Sequence, residues 1–156
     1  MSIEYTIELP PFSADFFREL SGLCGTVFKE PVNDLRWRLE NMPCPTVVCA
    51  RASGRIVGFK AGYAMSPSRY YSWLGGVQPD SQRQGIASHL MELQHELVRK
   101  RGFEFIETAT DEGNVAMSRA NLKHGFAICG FRRKPNRVQV LFSKCLQQLT
   151  EPMRLD

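Results

Sequence analysis

Leu74-Gly75-Gly76-Val77-Gln78-Pro79-Asp80-Ser81-Gln82-Arg83-Gln84-Gly85-Ile86-Ala87 is the stretch on which the reading of this chain turns. Upstream, Tyr70 to Val77 alternates as a strand does. Downstream, Ile86, Leu90, Leu93 and Leu97 recur at helical spacing, with Glu92, Glu96 and Lys100 on another face. The stretch is a strand, a tight polar loop and the first turn of an amphipathic helix. First-turn N–H groups have no partner inside the helix, and the macrodipole favours an anion above them. Gly85 and Ala87 leave the backbone open to close approach, Arg83 adds a positive charge, and positions 82–88 hold no carboxylate. Several such contacts, each worth about 0.3–1 kcal/mol when exposed, suit a pyrophosphate. No Gly-Lys-Ser/Thr follows, so this is not a Walker loop, and GxGxxG is absent. Taken alone, the pattern also fits a helix start with small residues for packing.

Outward from the loop, the pattern predicts an ordered series of elements. Ile3 to Leu9 alternates as a strand that Pro10-Pro11 ends, and Ser13 caps a helix carrying Phe16, Phe17, Leu20 and Leu23, weakened at its end by Gly22 and Gly25. A second helix spans Val32 to Asn41. Thr46 to Ala52 and Arg55 to Met65 form a hairpin about Ser53-Gly54, and Ser66-Pro67-Ser68 turns the chain into Tyr70 to Val77. After the long helix, which Gly102 ends, Phe103 to Thr110 returns as a strand parallel to Tyr70–Val77, because a helix joins the two. Asn114 to His124 is a helix with Asn114 as N-cap and Gly125 just past its end; Phe126 to Phe131 and Val138 to Lys144 are strands. The expected fold is one α/β domain over residues 1–156, with a central mixed, mainly antiparallel sheet of about seven strands and flanking helices.

Composition excludes several classes. At 43% hydrophobic and 23% charged residues the chain is ordinary for a soluble globular protein. No apolar run reaches the roughly 18 residues of a membrane span, and the N-terminal Met1-Ser2-Ile3-Glu4-Tyr5 does not read as a signal peptide. The five cysteines, odd in number and without a CxxC pair, suit a reducing compartment, so a cytoplasmic location is expected and no metal is. A net charge of +4 fits a phosphorylated small ligand as well as nucleic acid. The cluster Arg132-Arg133-Lys134 with Arg137 reads first as a solvated turn and only second as a nucleic-acid surface, so no nucleic-acid partner is expected.

Val77-x-Pro79 followed by Gln82-x-x-Gly85-x-Ala87 resembles motif A of the GNAT superfamily of acyl-CoA-dependent N-acyltransferases. Asn114-Val-Ala-Met117 through Asn121-Leu-Lys123-His-Gly125-Phe126 resembles that family's second signature, and the element order matches its fold over nearly the whole chain. The resemblance implies an N-acetyltransferase that moves the acetyl group of acetyl-CoA to a primary amine by direct attack in a ternary complex. It implies a wedge between the strands Tyr70–Val77 and Phe103–Thr110. Gly75, Gly76 and Val77 would hold the pantetheine arm and acetyl carbonyl, and Gln82, Arg83, Gln84, Gly85, Ile86, Ala87 and Ser88 would cradle the pyrophosphate. Asn114 would contact the arm, a role compatible with plain helix capping.

The family pattern breaks where its chemistry is expected. Asn121 stands where many members carry an acidic tyrosine; an amide has no useful proton to give near neutral pH, so Asn121 is a catalytic candidate only as a hydrogen-bond donor to the sulfur, and a thiolate can also leave with the help of water. Ala109 stands where some carry a glutamate base. Glu107 shares its strand face and is the candidate base; a solvated or salt-bridged carboxylate is the competing reading. A binding module that holds acyl-CoA without catalysis is therefore the alternative function. His89, His95 and His124 show no metal-ligand spacing. Tyr71 and Trp73 share a face beside the wedge, where they line an acceptor pocket or simply pack. Glu30 and Asp34, in the early helices, are candidates to attract a cationic amine. A homodimer through an edge strand at Val138–Lys144 is a further possibility.

Overall fold

In the computed structural model of this protein, residues 2–147 are described; the expected domain over 1–156 extends beyond them at both ends. Seven strands form one sheet: β1 (Ile3–Glu8), β2 (Thr46–Ala52), β3 (Arg55–Ala64), β4 (Arg69–Val77), β5 (Phe105–Asp111), β6 (Ala127–Arg133) and β7 (Val138–Cys145). Their order is β1-β2-β3-β4-β5-β7-β6, and only β4 and β5 run parallel. The mixed, mainly antiparallel sheet is the expected one. Two features differ. β7 pairs with both β5 and β6, so Val138–Lys144 is interior and cannot offer a free edge to a second copy; the edge there is β6. The first helix also runs through both of its glycines.

That helix, α1 (Ala14–Val27), is capped by Ser13, whose Oγ accepts from the Phe16 N–H at 3.0 Å. Gly22 and Gly25 sit on its open side, where an added Cβ would meet nothing within 4 Å. The buried stripe Phe16, Leu20, Leu23 and Cys24 outweighs the roughly 1 kcal/mol that each glycine costs in a helix interior. With α2 (Leu35–Asn41) it covers one face of the sheet, packing on Val47, Cys49, Phe59 and Ala61. The alternate residues of β2, Val48 and Ala50, face the other way and meet Ile86 and Leu90 of α3 (Ile86–Lys100). Since both faces of β2 are buried, its centre, Val47 to Ala50, reads as a continuous apolar run rather than an alternating one.

The α4 helix (Val115–Lys123) lies beside α3: Ser88 Oγ and His124 Nε2 are 3.2 Å apart. Asn114 caps α4 through its side chain, which accepts from the Met117 N–H, and Gly125 follows the helix at φ +92. The final apolar cluster joins Met91 and Val98 of α3 to Ile106, Phe126 and Phe142. No helix among the described residues is long and apolar enough to cross a membrane.

Candidate functional site: a cleft between splayed strands

The pairing of β4 with β5 is short. Arg69, Tyr70 and Tyr71 are in register with Phe105, Ile106 and Glu107, and there the ladder stops although both strands continue. Beyond it, β4 still pairs with β3 as far as Gly58↔Val77, and β5 still pairs with β7 as far as Asp111↔Gln139. Each strand is held on its outer side and open on its inner side. Thr108 Oγ1 donates to the Ser72 carbonyl at 2.9 Å, closing the apex of the opening with a side chain in place of a ladder bond. A cleft of about 340 Å³ follows, with Ser72 and Gly75 on one wall and Thr108 and Thr110 on the other.

Glycine is required along this wall. A Cβ on Gly75 would come within 2.9 Å of Lys60 Cγ and 3.0 Å of the Phe59 carbonyl oxygen, and one on Gly76 within 2.4 Å of Val27. Past Val77, the chain turns through a short 3-10 helix (Pro79–Ser81), with Gln82 Nε2 donating back to the Val77 carbonyl at 3.1 Å. Arg83 at φ +64 and Gly85 at φ +76 then bring the chain into α3. Glycine relieves the left-handed strain at position 85. The first helical bond is His89 N–H to the Gly85 carbonyl, so the first-turn N–H groups before it lack helical acceptors. A concavity of about 250 Å³ lies over this turn, lined by Gln82, Arg83, Gly85, Ile86, Ala87 and Ser88. Gln84 is exposed and is not among its lining residues.

The two faces of the cleft differ in chemistry. Toward α3 and α4 the floor is polar: Ser72 Oγ donates to Gln94 Oε1 at 2.8 Å, and Asn121 Nδ2 donates to Thr110 Oγ1 at 3.1 Å. Asn121 is 2% exposed and spends an amide proton on tying α4 to β5. Lys60 lines the same cleft, and burial pushes its ammonium down to about 8. Gln94 Nε2 and His95 Nε2 are buried without a hydrogen-bond partner among the described residues. Burial, with the nearby Lys144 and Lys60 charges, pushes His95 down to about 3, so its Nδ1 is free to accept from Lys144 Nζ at 2.9 Å.

Toward α1 and α2 the wall is aromatic. Tyr71 and Trp73 both line a cavity of about 480 Å³, joined by Tyr63, whose ring centroid lies 5.7 Å and 6.0 Å from theirs. Ala109 and Glu107 also line it. The Glu107 carboxylate is ion-paired with Arg69, so the candidate base sits at the cavity wall with a cation attached. Asp34 is held by Arg38 at 2.6 Å, and Arg38 lies 4.7 Å over the Trp73 ring. Glu30 lines a separate hollow between α1 and α2. Asn114 lines the cleft mouth. The structure thus gathers Gly75, Trp73, Asn114 and Asn121 about one cleft, sets Glu107 and Tyr71 on the adjoining cavity, and leaves Glu30 apart.

Sequence reading passed over Lys60 and Gln94. A lysine inside the apolar run of β3 is the signal that was there: a charge between Phe59 and Ala61, both fully buried, must either escape the core or serve a cleft. Cys24 and Cys49 do not stand as nucleophiles, because burial pushes their thiols up to about 11 and about 12. No cluster of His, Cys, Asp or Glu with metal-binding geometry occurs among the described residues.

The chain belongs to the Acetyltransferase (GNAT) family, whose model matches residues 9–126. Its fold is that of solved acetyltransferases. The ribosomal-protein-S18-alanine N-acetyltransferase from Escherichia coli superposes with a TM-score of 0.80 at 15% identity, covering 96% of this chain and 99% of that one. Ard1 from Thermoplasma volcanium gives 0.76 at 19% identity, covering 92% and 99%. A GNAT family acetyltransferase from Elizabethkingia anophelis, solved with acetyl-CoA bound, gives 0.73 at 14% identity, covering 92% and 97%. No protein of curated function matches the chain in sequence.

Proposed function

We propose that this protein is an N-acetyltransferase that moves the acetyl group of acetyl-CoA to a primary amine, the amine attacking directly in a ternary complex. The observation that carries this reading is the ladder that stops at Tyr71↔Glu107 while both strands run on. It opens a slot for an extended pantetheine arm, with the unpaired edge of β4 to hydrogen-bond it as an added strand would. The residues present fit that ligand. Gly75 keeps the cleft wall free of a side chain, Gly76 lets α1 pack closely on β4 through Val27, and the open first turn of α3 with Arg83 suits a pyrophosphate. Backbone N–H groups of the splayed β4 would meet the carbonyl oxygen as charge develops there.

The amine enters from the aromatic side, between Tyr63, Tyr71 and Trp73. Charge on that cavity argues for an acceptor class. Arg38, Arg69 and Arg137 are each neutralised, by Asp34, Glu107 and Asp111. Arg132 and Lys134 also line the cavity and have no carboxylate partner among the described residues. The remaining positive charge favours an acceptor that carries an anionic group near its amine. Glu107 lines the same cavity, which supports a role for it in taking the ammonium proton, directly or through water.

The alternative is an acyl-CoA-binding module without catalysis. It draws on Asn121, which has no acidic proton and is already bonded to Thr110, and on Ala109. A panel of primary amines, with and without a neighbouring carboxylate or phosphate, assayed for free CoA release, decides between them. Turnover of the anionic amines supports the proposal. Silence across the panel with intact acetyl-CoA binding supports the module.

A further inference from the structure

Asn121 leaves the transfer without the proton donor that a departing sulfur calls for, yet the cleft that holds Asn121 contains another candidate. Lys60 leaves β3 on the face that looks to α3, between Gly58 and Gly62, where α3 side chains and β4 pack so closely that neither position has room for a Cβ. Its stem passes Gly75, and it lines the cleft together with Ser72, Thr110, Asn114 and Asn121. Among the described residues no carboxylate or other acceptor meets its ammonium. An ammonium half-withdrawn from water without a partner is costly, and such a group is retained where a ligand supplies the partner. Resting on the acetyl-CoA reading above, we propose that the Lys60 ammonium is the acid that receives the leaving thiolate of coenzyme A.

The step balances without any further reactant. The amine nitrogen forms a bond to the acetyl carbon as the carbonyl electrons move to oxygen. The carbonyl then re-forms, the C–S bond breaks with its electron pair on sulfur, and Lys60 gives that sulfur a proton. The proton lost by the new amide nitrogen leaves through Glu107 or water, and solvent reprotonates Lys60. A lysine held at about 8 is well matched to a thiol near 8.5. The other ionisable groups facing Lys60 do not compete for the role. His95 on α3 is kept neutral by burial, Lys144 on β7 is tied to it, and Asp111 of β5 is paired with Arg137 at 3.0 Å on the cleft's far side.

The test needs no acceptor. CoA and desulfo-CoA are titrated calorimetrically into the wild-type protein and into Lys60→Met and Lys60→Arg, and the ionisation of bound CoA thiol is followed by thiolate absorbance against pH. The expected result is that bound CoA ionises about tenfold more readily than free CoA in the wild type. Lys60→Arg keeps that preference, Lys60→Met loses it, and desulfo-CoA binds all three alike. Bound CoA that ionises at the pH of free CoA in the wild-type protein overturns the proposal whatever the variants do. So does a loss of desulfo-CoA affinity in Lys60→Met, which would make Lys60 a phosphate contact. An acetyl group found on Lys60 by mass spectrometry after incubation with acetyl-CoA also overturns it, because Lys60 would then be a nucleophile. Failure of both CoA and desulfo-CoA to bind the wild-type protein contradicts the acetyl-CoA reading itself.

Discussion

Thr108 donates its hydroxyl proton to the backbone carbonyl of Ser72 across 2.9 Å, one residue beyond the last paired positions of β4 and β5. This single bond marks where a parallel sheet becomes a cleft. Its removal should let the apex breathe. For Thr108→Val, which keeps the shape and removes the donor, the expected loss is that of one net hydrogen bond, about 1 kcal/mol. The bond is made in the unliganded protein, so the melting temperature should fall by about 2–4 °C, and acetyl-CoA affinity, read by calorimetry, should fall by no more than about fivefold.

Gly85 separates two demands on one position. An added Cβ meets nothing within 4 Å, but the backbone sits at φ +76. Gly85→Ala should therefore lose about 1 kcal/mol of stability through left-handed strain while keeping most of its acetyl-CoA affinity. Gly85→Glu carries the same strain and places a carboxylate over the first turn of α3, so binding should be lost. Chemical denaturation and calorimetry on the pair separate backbone from charge.

Lys60 should cost stability. Its ammonium is held down to about 8 by burial, against about 10.4 when unfolded. Below pH 8 both states are charged and the full penalty applies; as pH rises from 8 toward 10.4 the folded state is relieved first and stability rises. Lys60→Met should be more stable than wild type at pH 7 by about 1–3 kcal/mol, and its stability should be flat where the wild type climbs. A native site that is stabilised by losing a charge is the ordinary mark of a functional one.

His95 works on the acid side. Burial keeps it neutral down to about pH 3, while the unfolded chain takes the proton near pH 6.5. Its contribution is complete above about 6.5 and is lost as pH falls toward 3, with a slope of up to about 1.4 kcal/mol per pH unit. Urea midpoints between pH 4 and 7 should fall less steeply in His95→Gln than in the wild type.

The loop at Gln82–Ser88 and the capped helix at Asn114 were legible because both rest on local rules: caps, glycines and a change of period. The sheet's middle was legible as a parallel crossover because a helix joins β4 to β5. What could not be read was long range. Nothing local in Val138–Lys144 distinguishes an edge strand from one inserted between β5 and β6; that is decided by pairing with Phe105–Asp111 in register. Gly22 and Gly25 marked a helix end by propensity, and tertiary burial of Leu23 and Cys24 prevailed. Asp34 looked like a lure for a cation until Arg38, one helical turn on, proved to hold it. Lys60 between Phe59 and Ala61 was a legible oddity, but that its face opens on a cleft depends on β4 and β5 parting, which is long range.

The central claim is that the splayed strands and the first turn of α3 hold acetyl-CoA for transfer to an amine. Calorimetric titration of acetyl-CoA into the wild-type protein and Gly85→Glu tests it most directly. The account predicts one site per chain filled in the micromolar range in the wild type, and no binding in the variant with its fold intact. Equal affinity in the two proteins, or no binding by the wild type at high micromolar concentration, would contradict it.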